Sequence, residues 1–267
     1  MNHTKLKAEF PPKMDSDAAE VYRLLKGRRN SLLMLDYDGT LAPFREERNK
    51  AFPYPGVRKW LEAILQKHSA RAVIISGRAI SDLIPLLGLD PLPEIWGSHG
   101  WERRFPNGEY TVGPFDENAL RGIASADHWA RLHGLEARCE QKPASVALHW
   151  RGLDRETAKE MLVRALSGWR PIEQEHGLEI QAFDGGVEIR IPGRNKGDVV
   201  RTLLSEAPAH TAAAYLGDDR TDEDGFDALN AQGLTALVRP EPRESHAHIW
   251  IRPPEGLIRF LEVWAGS

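Results

Sequence analysis

The sequence predicts an α/β protein whose core is a doubly wound, mostly parallel sheet, with a smaller inserted α+β cap domain. Three observations predict this class. Apolar strands that end in polar turns alternate with amphipathic helices near both ends of the chain. Between these regions, alternating polar and apolar residues indicate an antiparallel sheet with one wet face. We place the core at 1–112 and 188–267 and the cap domain at 113–187.

The elements of the core follow in order along the chain. A leading helix is predicted at 15–29, and a buried strand with its polar turn at 31–39. The unit repeats as a helix at 56–68, a strand at 71–78 and a helix at 79–88. After the inserted segment, a helix at 196–208 precedes a strand at 212–219. Strands and helices that alternate in this way form parallel sheets.

The inserted segment has a different order. A helix at 116–134 precedes a strand at 144–151, and a helix at 154–169 precedes strands at 177–183 and 186–191. The last two strands flank the turn Asp184-Gly185-Gly186, which predicts a hairpin.

The overall composition argues against some classes of binding partner. The 267 residues carry a formal charge of -4 with both signs interspersed, which argues against a nucleic-acid surface. No apolar run reaches the length of a transmembrane helix, and the first fifteen residues lack the apolar stretch of a signal peptide. We therefore expect a cytoplasmic protein without a membrane or nucleic-acid partner, and a monomer.

Reactive residues follow three of the predicted strands. These strand ends carry Asp36 to Thr40, Ser76 to Arg78, and Gly217 to Asp219. Because ligands of open α/β sheets bind beyond the carboxyl ends of the strands, we expect these segments to meet in one crevice. Lys196 starts a helix and can point into the same crevice. Carboxylates brought together in this way need a cation, and hard oxygen ligands suit Mg²⁺.

The residue types in the crevice suit phosphoryl transfer. A carboxylate such as Asp36 can attack phosphorus and form an acyl phosphate. Asp38 is the better candidate for the acid and base, because a second carboxyl group beside Asp36 holds a proton more readily. Lys196 supplies positive charge to the transferred group. Hydroxyl groups and close backbone approach for phosphate binding come from a further set: Thr40, Ser76, Gly39 and Gly77.

These segments resemble the four signature motifs of the haloacid dehalogenase superfamily, and within it the trehalose-6-phosphate phosphatase family. The resemblance rests on the stretches DYDGTLAPF, SGR, GSHG, EQKPASVALHWR, VEIRIPGRNKG and GDDRTDEDGF. It implies a HAD-like, Rossmannoid core with a specificity cap, Asp36 as nucleophile and Asp38 as general acid and base. It also implies that Asp36, the Asp38 carbonyl and Asp218 hold Mg²⁺, supported by Asp219 and Asp222.

The resemblance also implies which residues bind the substrate. Ser76 and Lys196 are implied to bind phosphate. We expect the neighbouring Thr40, Gly77 and Arg78 to bind substrate in the same subsite. The family's sugar pattern falls on a set of residues in the predicted cap and at its end: Glu140, Lys142, Ser145, His149, Trp150, Arg151 and Glu188. Carboxylates and amines suit sugar hydroxyls, and the resemblance implies a small sugar phosphate as substrate.

Several alternatives stay open from the sequence. The cap pattern alone separates trehalose 6-phosphate from sucrose phosphate, mannosylphosphoglycerate or a monosaccharide phosphate. A phosphotransferase or mutase would use the same carboxylates, and a non-catalytic sensor would be expected to lack one of them. Glu140, Lys142 and Arg151 could instead form ion pairs on a solvated sheet face. His99, after the strand ending at 97, could line the crevice or be a structural histidine.

Overall fold

The computed structural model describes residues 13–14, 21, 23–183 and 185–266. The strands in this part of the chain are β1 Lys13–Met14, β2 Ser31–Leu35, β3 Ala70–Ile75, β4 Glu94–Gly97, β5 Glu102–Arg104, β6 Tyr110–Val112, β7 Cys139–Lys142, β8 Ser145–His149, β9 Glu179–Phe183, β10 Gly186–Arg190, β11 Ala212–Gly217, β12 Leu234–Val238 and β13 Ile249–Ile251. The labelled α-helices are α1 Val57–Leu65, α2 Ile80–Leu87, α3 Glu117–Leu132, α4 Arg155–His176, α5 Lys196–Glu206, α6 Glu223–Leu229 and α7 Glu255–Gly266.

The larger sheet runs in the order β1-β13-β12-β11-β2-β3-β4-β5-β6. Pairing is parallel from β1 to β4, and β5 and β6 add an antiparallel edge. The predicted α/β class with a mostly parallel sheet is therefore confirmed.

Helices cover both faces of the larger sheet. Leu33 and Leu35 of β2 pack in one apolar cluster with residues of α1, α2 and α7. Leu32 and Met34 of the same strand face the opposite cluster with residues of α5 and α6. A strand that is buried on both faces needs a nearly continuous apolar run, which explains the sequence SLLML.

The smaller sheet has the order β7-β8-β10-β9 and is antiparallel throughout. Val146 and Leu148 of β8 and Val187 of β10 pack in an apolar cluster with α3 and α4, which also buries Trp169. Alternate residues of the same strands face away from that cluster. This second face, which includes Glu188, is turned toward the larger sheet.

The predicted boundary at 187/188 falls inside β10. This strand pairs with β8 and β9 along Gly186–Arg190, so the smaller unit, which is the smaller sheet with α3 and α4, continues to Arg190. The rest of the described chain is the larger unit. The hairpin turn includes residue 184, which lies outside the described residues, as do 15–20 and 22 of the predicted leading helix. Residues 21 and 23–25 of that helix are helical. Helix α4 extends beyond the predicted end at 169 to His176, where Gly177 ends it in the left-handed conformation.

Hydrogen bonds hold both ends of the segment that leads from β10 back to the larger unit. The Ile191 N–H donates to the Ala144 carbonyl at 2.8 Å, within the smaller unit. The Arg194 guanidinium donates to the Gly100 carbonyl of the larger unit at 3.1 Å. Two residues later Lys196 begins α5. In the described part of the chain, no helix has the length and apolar character needed to cross a bilayer.

Candidate active site

A cavity lies between the carboxyl ends of the parallel strands and the polar face of the smaller sheet. The structure brings the following predicted residues into its lining: Asp36, Asp38, Ser76, Gly77, Arg78, Glu140, Lys142, His149, Glu188, Lys196, Asp218 and Asp219. Thr40 and Ser145 lie behind the lining, where their hydroxyl groups donate to Asp36 and Glu188.

Asp36 is a buried carboxylate at the end of β2. Its Oδ1 accepts a hydrogen bond from Lys196 Nζ at 2.7 Å, and its Oδ2 accepts one from Thr40 Oγ1 at 3.1 Å. Burial raises the pKa of Asp36 to about 7, although the Lys196 ammonium opposes this shift. Both carboxylate oxygens are thus held in a defined direction.

Lys196 reaches Asp36 because it is the first residue of α5. Asn195 caps that helix in a capping box with Asp198, which fixes where the helix begins. The buried ammonium also donates to Asp222 Oδ1 at 2.7 Å. Burial alone would lower the pKa of Lys196, but Asp222 and Asp36 outweigh it and raise the pKa above its usual range.

Three buried carboxylates meet beside this lysine. One oxygen from each of Asp36, Asp218 and Asp222 lies within 4.8 Å of the others, and Oδ1 of Asp218 is buried without a hydrogen-bond partner. Burial, followed by repulsion from Asp36 and Asp222, raises the pKa of Asp218 well above its ordinary value. An unpartnered oxygen among like charges fits a bound cation. These residues could therefore hold a metal ion.

The members of this cluster have different partners. Asp222 accepts hydrogen bonds from Tyr215, from Lys196 and from the backbone N–H groups of Asp218 and Asp219. Its oxygens are therefore occupied by the protein, while Asp218 keeps a free one. The carboxylate of Asp219 is not in the cluster and instead accepts from the Arg220 N–H at 2.7 Å. Asp219 nevertheless lines the cavity.

Gly39 allows the loop that follows β2 to lie close to Asp218. Its φ of 83° lies in the left-handed region, and a Cβ atom there would stand 2.2 Å from Asp218 Oδ2. No other residue meets both conditions without strain. The glycine therefore lets the Asp36 loop and Asp218 lie side by side.

Asp38 forms an ion pair with Arg78. Its Oδ2 accepts from Arg78 Nε and its Oδ1 from Nη2, both at 2.6 Å, in a bidentate arrangement. Ser76 Oγ accepts from the Arg78 backbone N–H at 3.1 Å and thereby shapes the turn that carries the guanidinium. In this structure Arg78, predicted to bind substrate, contacts Asp38. A protonated Asp38 would have to give up one of these two hydrogen bonds.

The smaller unit contributes a buried Glu188–Lys142 pair. Glu188 Oε1 accepts from Lys142 Nζ and from Ser145 Oγ, each at 2.7 Å. Burial would raise the pKa of Glu188, but Lys142 and a hydrogen bond from His99 hold it well below its ordinary value. His99 Nε2 lies 3.4 Å from Glu188 Oε2, and this contact crosses between the two units. Burial lowers the pKa of His99, which favours its neutral form.

Glu140 is surrounded by donors from both units. Its Oε1 accepts from Arg48 Nη2 at 2.7 Å, and its Oε2 lies 3.0 Å from His149 Nε2. Burial would raise the pKa of Glu140, but Lys142, His149 and Arg48 together hold it far below the usual range. Lys142 is buried and the Glu140 side chain is only 9% exposed, so both belong to the cavity lining and not to a solvated sheet face.

Some lining residues were not identified from the sequence. Arg48, Phe44, Gln181 and Phe183 line the cavity without any preceding prediction. They lie in loops or at alternating sheet positions, where no local pattern separates them from surface residues. His99, which the sequence left undecided, follows β4 and lines the same cavity. The rule that placed the other residues at strand ends applies to it as well.

A family model described as trehalose-phosphatase matches residues 34–249. The chain belongs to the trehalose-phosphatase family. The resemblance that the sequence motifs carried is therefore confirmed. A trehalose-phosphate phosphatase of Mycobacterium tuberculosis is 32% identical over 238 residues, which cover 84% of this chain. The chain spans 58% of the length of that relative.

The solved structures show which fold this trehalose-phosphatase family member has. The C-terminal domain of Candida albicans trehalose-6-phosphate phosphatase superposes with a TM-score of 0.78 at 21% identity, covering 96% of this chain and 98% of that one. A haloacid dehalogenase-like hydrolase from B. subtilis gives a TM-score of 0.57 at 14% identity, covering 87% and 99%. The predicted HAD-like fold is confirmed.

Proposed function

We propose that this chain is a phosphomonoesterase that hydrolyses trehalose 6-phosphate to trehalose and phosphate. The observation that carries the proposal is one cavity with two chemically distinct walls. One wall has the buried Asp36–Lys196 pair beside unpaired carboxylate oxygen, and the other has the buried Glu188–Lys142 pair. The first wall suits a phosphoryl group and the second suits sugar hydroxyls. Membership of the trehalose-phosphatase family supports the choice of sugar.

In the first step, an Asp36 carboxylate oxygen attacks phosphorus. A bond forms between that oxygen and phosphorus while the bond from phosphorus to the sugar oxygen breaks. The leaving oxygen takes the electron pair and receives a proton from Asp38. Lys196, already 2.7 Å from Asp36, keeps the nucleophile oriented and places positive charge beside the transferred group.

In the second step, water attacks phosphorus of the aspartyl phosphate. Asp38 takes a proton from that water, the bond between phosphorus and the Asp36 oxygen breaks, and the carboxylate is regenerated with release of phosphate. Ser76 and the backbone at Gly77 are proposed to bind the phosphoryl oxygens, since both border the cavity beside Asp38.

The cation of this site is proposed to be Mg²⁺. Asp36 and Asp218, with the Asp38 carbonyl, would hold it, because carboxylate and carbonyl oxygens are its preferred protein ligands. Asp219 and Asp222 would support those ligands. When bound, Mg²⁺ supplies positive charge that stabilises the phosphoryl oxygens in the transition state.

The sugar is proposed to lie against the smaller unit. Glu188 and Glu140 are held ionised and can accept hydrogen bonds from hydroxyl groups, while the Lys142 ammonium can donate them. His149 and Ser145 orient these carboxylates. A substrate with several hydroxyl groups and one phosphate would therefore contact both walls at once.

The test is phosphate release from trehalose 6-phosphate, sucrose 6-phosphate and glucose 6-phosphate with Mg²⁺. We expect a strong preference for trehalose 6-phosphate, and loss of release in Asp36→Asn. The matched control is Asp82→Asn, which makes the same change at an exposed position of α2 and should keep full activity. Equal rates on all three substrates would contradict the sugar assignment. Release that survives Asp36→Asn would contradict the nucleophile, and a phosphorylated sugar product would indicate a phosphotransferase.

A further inference from the structure

Arg48 belongs to the larger unit but points at the smaller one. It begins a short 3-10 helix, Arg48–Lys50, in the loop between β2 and α1. Its side chain is 23% exposed, although the residues on either side of it are more accessible. A long cationic side chain that is withdrawn from solvent in a polar loop needs a specific partner.

That partner is the Glu140 carboxylate, 92 residues further along the chain. Arg48 Nη2 donates to Glu140 Oε1 at 2.7 Å, and Nη1 forms an ion pair with Oε2 and lies 3.2 Å from His149 Nε2. Two nitrogens of one guanidinium thus contact both oxygens of one carboxylate. This bidentate geometry fixes the plane of the carboxylate as well as its position.

The same loop contacts the smaller unit at a second point. The Arg151 guanidinium lies 4.7 Å above the centre of the Phe44 ring. Phe44 and Arg48 therefore contact neighbouring positions of the smaller unit from one loop. The Arg48–Glu140 contact is consequently part of a continuous junction between the units.

The contact also forms one wall of the catalytic cavity. Arg48, Glu140, His149 and Arg151 line that cavity on one side and an outer groove on the other. Glu140 Oε1 accepts a hydrogen bond from Arg48 alone among the described residues, and an ionised carboxylate oxygen can accept more than one. Glu140 therefore keeps the capacity to accept a sugar hydroxyl while Arg48 holds it.

We infer that Arg48 is a positioning residue for sugar recognition, supplied by the larger unit to the Glu140 carboxylate of the smaller one. This inference rests on the proposed function, because it concerns a substrate with sugar hydroxyl groups. Arg48 acts on binding of the sugar and not on the phosphoryl chemistry, since its contacts are with Glu140 and His149 and none is with Asp36 or Lys196 in the described structure. The two units must be in contact for Glu140 to be held in this orientation.

The experiment compares Arg48→Met and Arg48→Lys on the sugar phosphate that the wild-type enzyme prefers and on p-nitrophenyl phosphate, which has no sugar. For Arg48→Met we expect KM for the sugar phosphate to rise roughly ten- to one-hundredfold, the range for losing a charged hydrogen bond. The rate on p-nitrophenyl phosphate should change by less than about twofold. Arg48→Lys should recover part of the loss, because it keeps the charge without the bidentate geometry.

Two controls separate positioning from a general structural effect. Lys50→Ala removes an exposed Lys50–Glu47 ion pair from the same 3-10 helix and should leave both substrates unaffected. In a Glu140→Ala background, adding Arg48→Met should cost less than about twofold, because the group that Arg48 holds is already absent.

The outcomes are distinct. Equal losses on both substrates, or full additivity with Glu140→Ala, would overturn the inference. A fall in KM would also overturn it, since Arg48 would then block the sugar site. Wild-type preference for a different sugar phosphate would contradict the proposed substrate but leave the Arg48 comparison valid. Absence of any sugar preference in the wild type would overturn both.

Discussion

Replacing Asp218 by asparagine tests the cation site without relying on activity. The buried cluster contains three carboxylates, and the cations nearest to them are the Lys196 ammonium and the Arg239 guanidinium, which lies 3.9 Å from Asp218 Oδ2. Asparagine has nearly the same shape as aspartate and removes one of the competing charges. Without a metal ion, Asp218→Asn should therefore make the folded protein more stable than the wild type.

The magnitude follows from the unpartnered Oδ1 atom of Asp218. Burying a polar group without a partner costs about 1–3 kcal/mol, and more for a charged one. Asparagine also places a polar atom there, so the gain of the metal-free variant is the difference between burying a charged and a neutral unpartnered group, on the order of 1 kcal/mol in the free energy of unfolding at neutral pH. For a chain of this size that corresponds to roughly 2–4 °C in the unfolding midpoint per kcal/mol.

Added Mg²⁺ should reverse the order of stability. At a concentration of one hundred times its Kd, a ligand that binds only the folded state stabilises it by about 2.7 kcal/mol. The wild type should show this gain. Asp218→Asn should lose most of it, because a carboxylate ligand has been replaced by an amide.

The difference between the metal-free proteins should depend on pH. Because burial and the neighbouring carboxylates raise the pKa of Asp218, the folded wild type binds a proton more tightly than the unfolded chain. The contribution of Asp218 to the stability of the wild type is therefore largest below the ordinary aspartate pKa of 3.8 and is lost as the pH rises through the raised value. Asp218→Asn lacks this loss, so the gap between the two proteins should widen with increasing pH.

Thermal unfolding followed by circular dichroism, with EDTA or with Mg²⁺, measures all three effects between about pH 4 and about pH 8. Asp219→Asn is the companion variant, because its carboxylate borders the cavity but accepts from the Arg220 N–H outside the cluster. It should change metal-free stability much less. A metal-free Asp218→Asn protein that unfolds below the wild type, or an equal Mg²⁺ gain in both, would refute the reasoning.

Three further changes have expected outcomes. Gly39→Ala should abolish phosphate release and lower the unfolding midpoint, because its Cβ would stand 2.2 Å from Asp218 Oδ2; a variant with normal turnover would contradict the close approach. Glu188→Gln should cost roughly 3–5 kcal/mol in the free energy of unfolding at neutral pH by leaving the Lys142 ammonium buried without its main partner. Since the pKa of Glu188 is lowered, that difference should shrink as the pH falls below about 4.5, and a constant difference in pH-dependent denaturation would argue against the ion pair. Trp169→Ala should cost roughly 3–5 kcal/mol by emptying the core of the smaller unit, measured by urea unfolding, and an unchanged midpoint would contradict that packing.

The central sheet could be predicted because its strands carry their own signal. The strand SLLML is buried on both faces, so its residues after Ser31 are apolar without alternation. The apolar run ends before Asp36. The same holds for β3 and β11, and the rule that ligands bind at carboxyl ends then groups their terminal residues. Strand β7 has no such signal. Its sequence CEQK is polar, and only pairing with β8 makes it a strand.

The partners of the predicted site residues could not be predicted in the same way. The Arg48–Glu140 contact joins residues 92 positions apart, and a charged residue in a polar loop has no periodicity to mark its direction. The ion pair of Asp38 with Arg78 likewise depends on how two neighbouring strand ends are turned. Residue type and strand position indicate which side chains lie in the same cavity. Tertiary packing determines which of them form hydrogen bonds or ion pairs with one another.

Hydrogen bonds hold both ends of the segment that joins the smaller sheet to Lys196. It is tied at Ile191 and at Arg194, so most of its torsional freedom lies at Gly193, whose φ is 95°. Glu188 is five residues from this point, at most about 17 Å along an extended chain. A rotation at Gly193 would therefore move the carboxylate of Glu188 relative to the ammonium of Lys196.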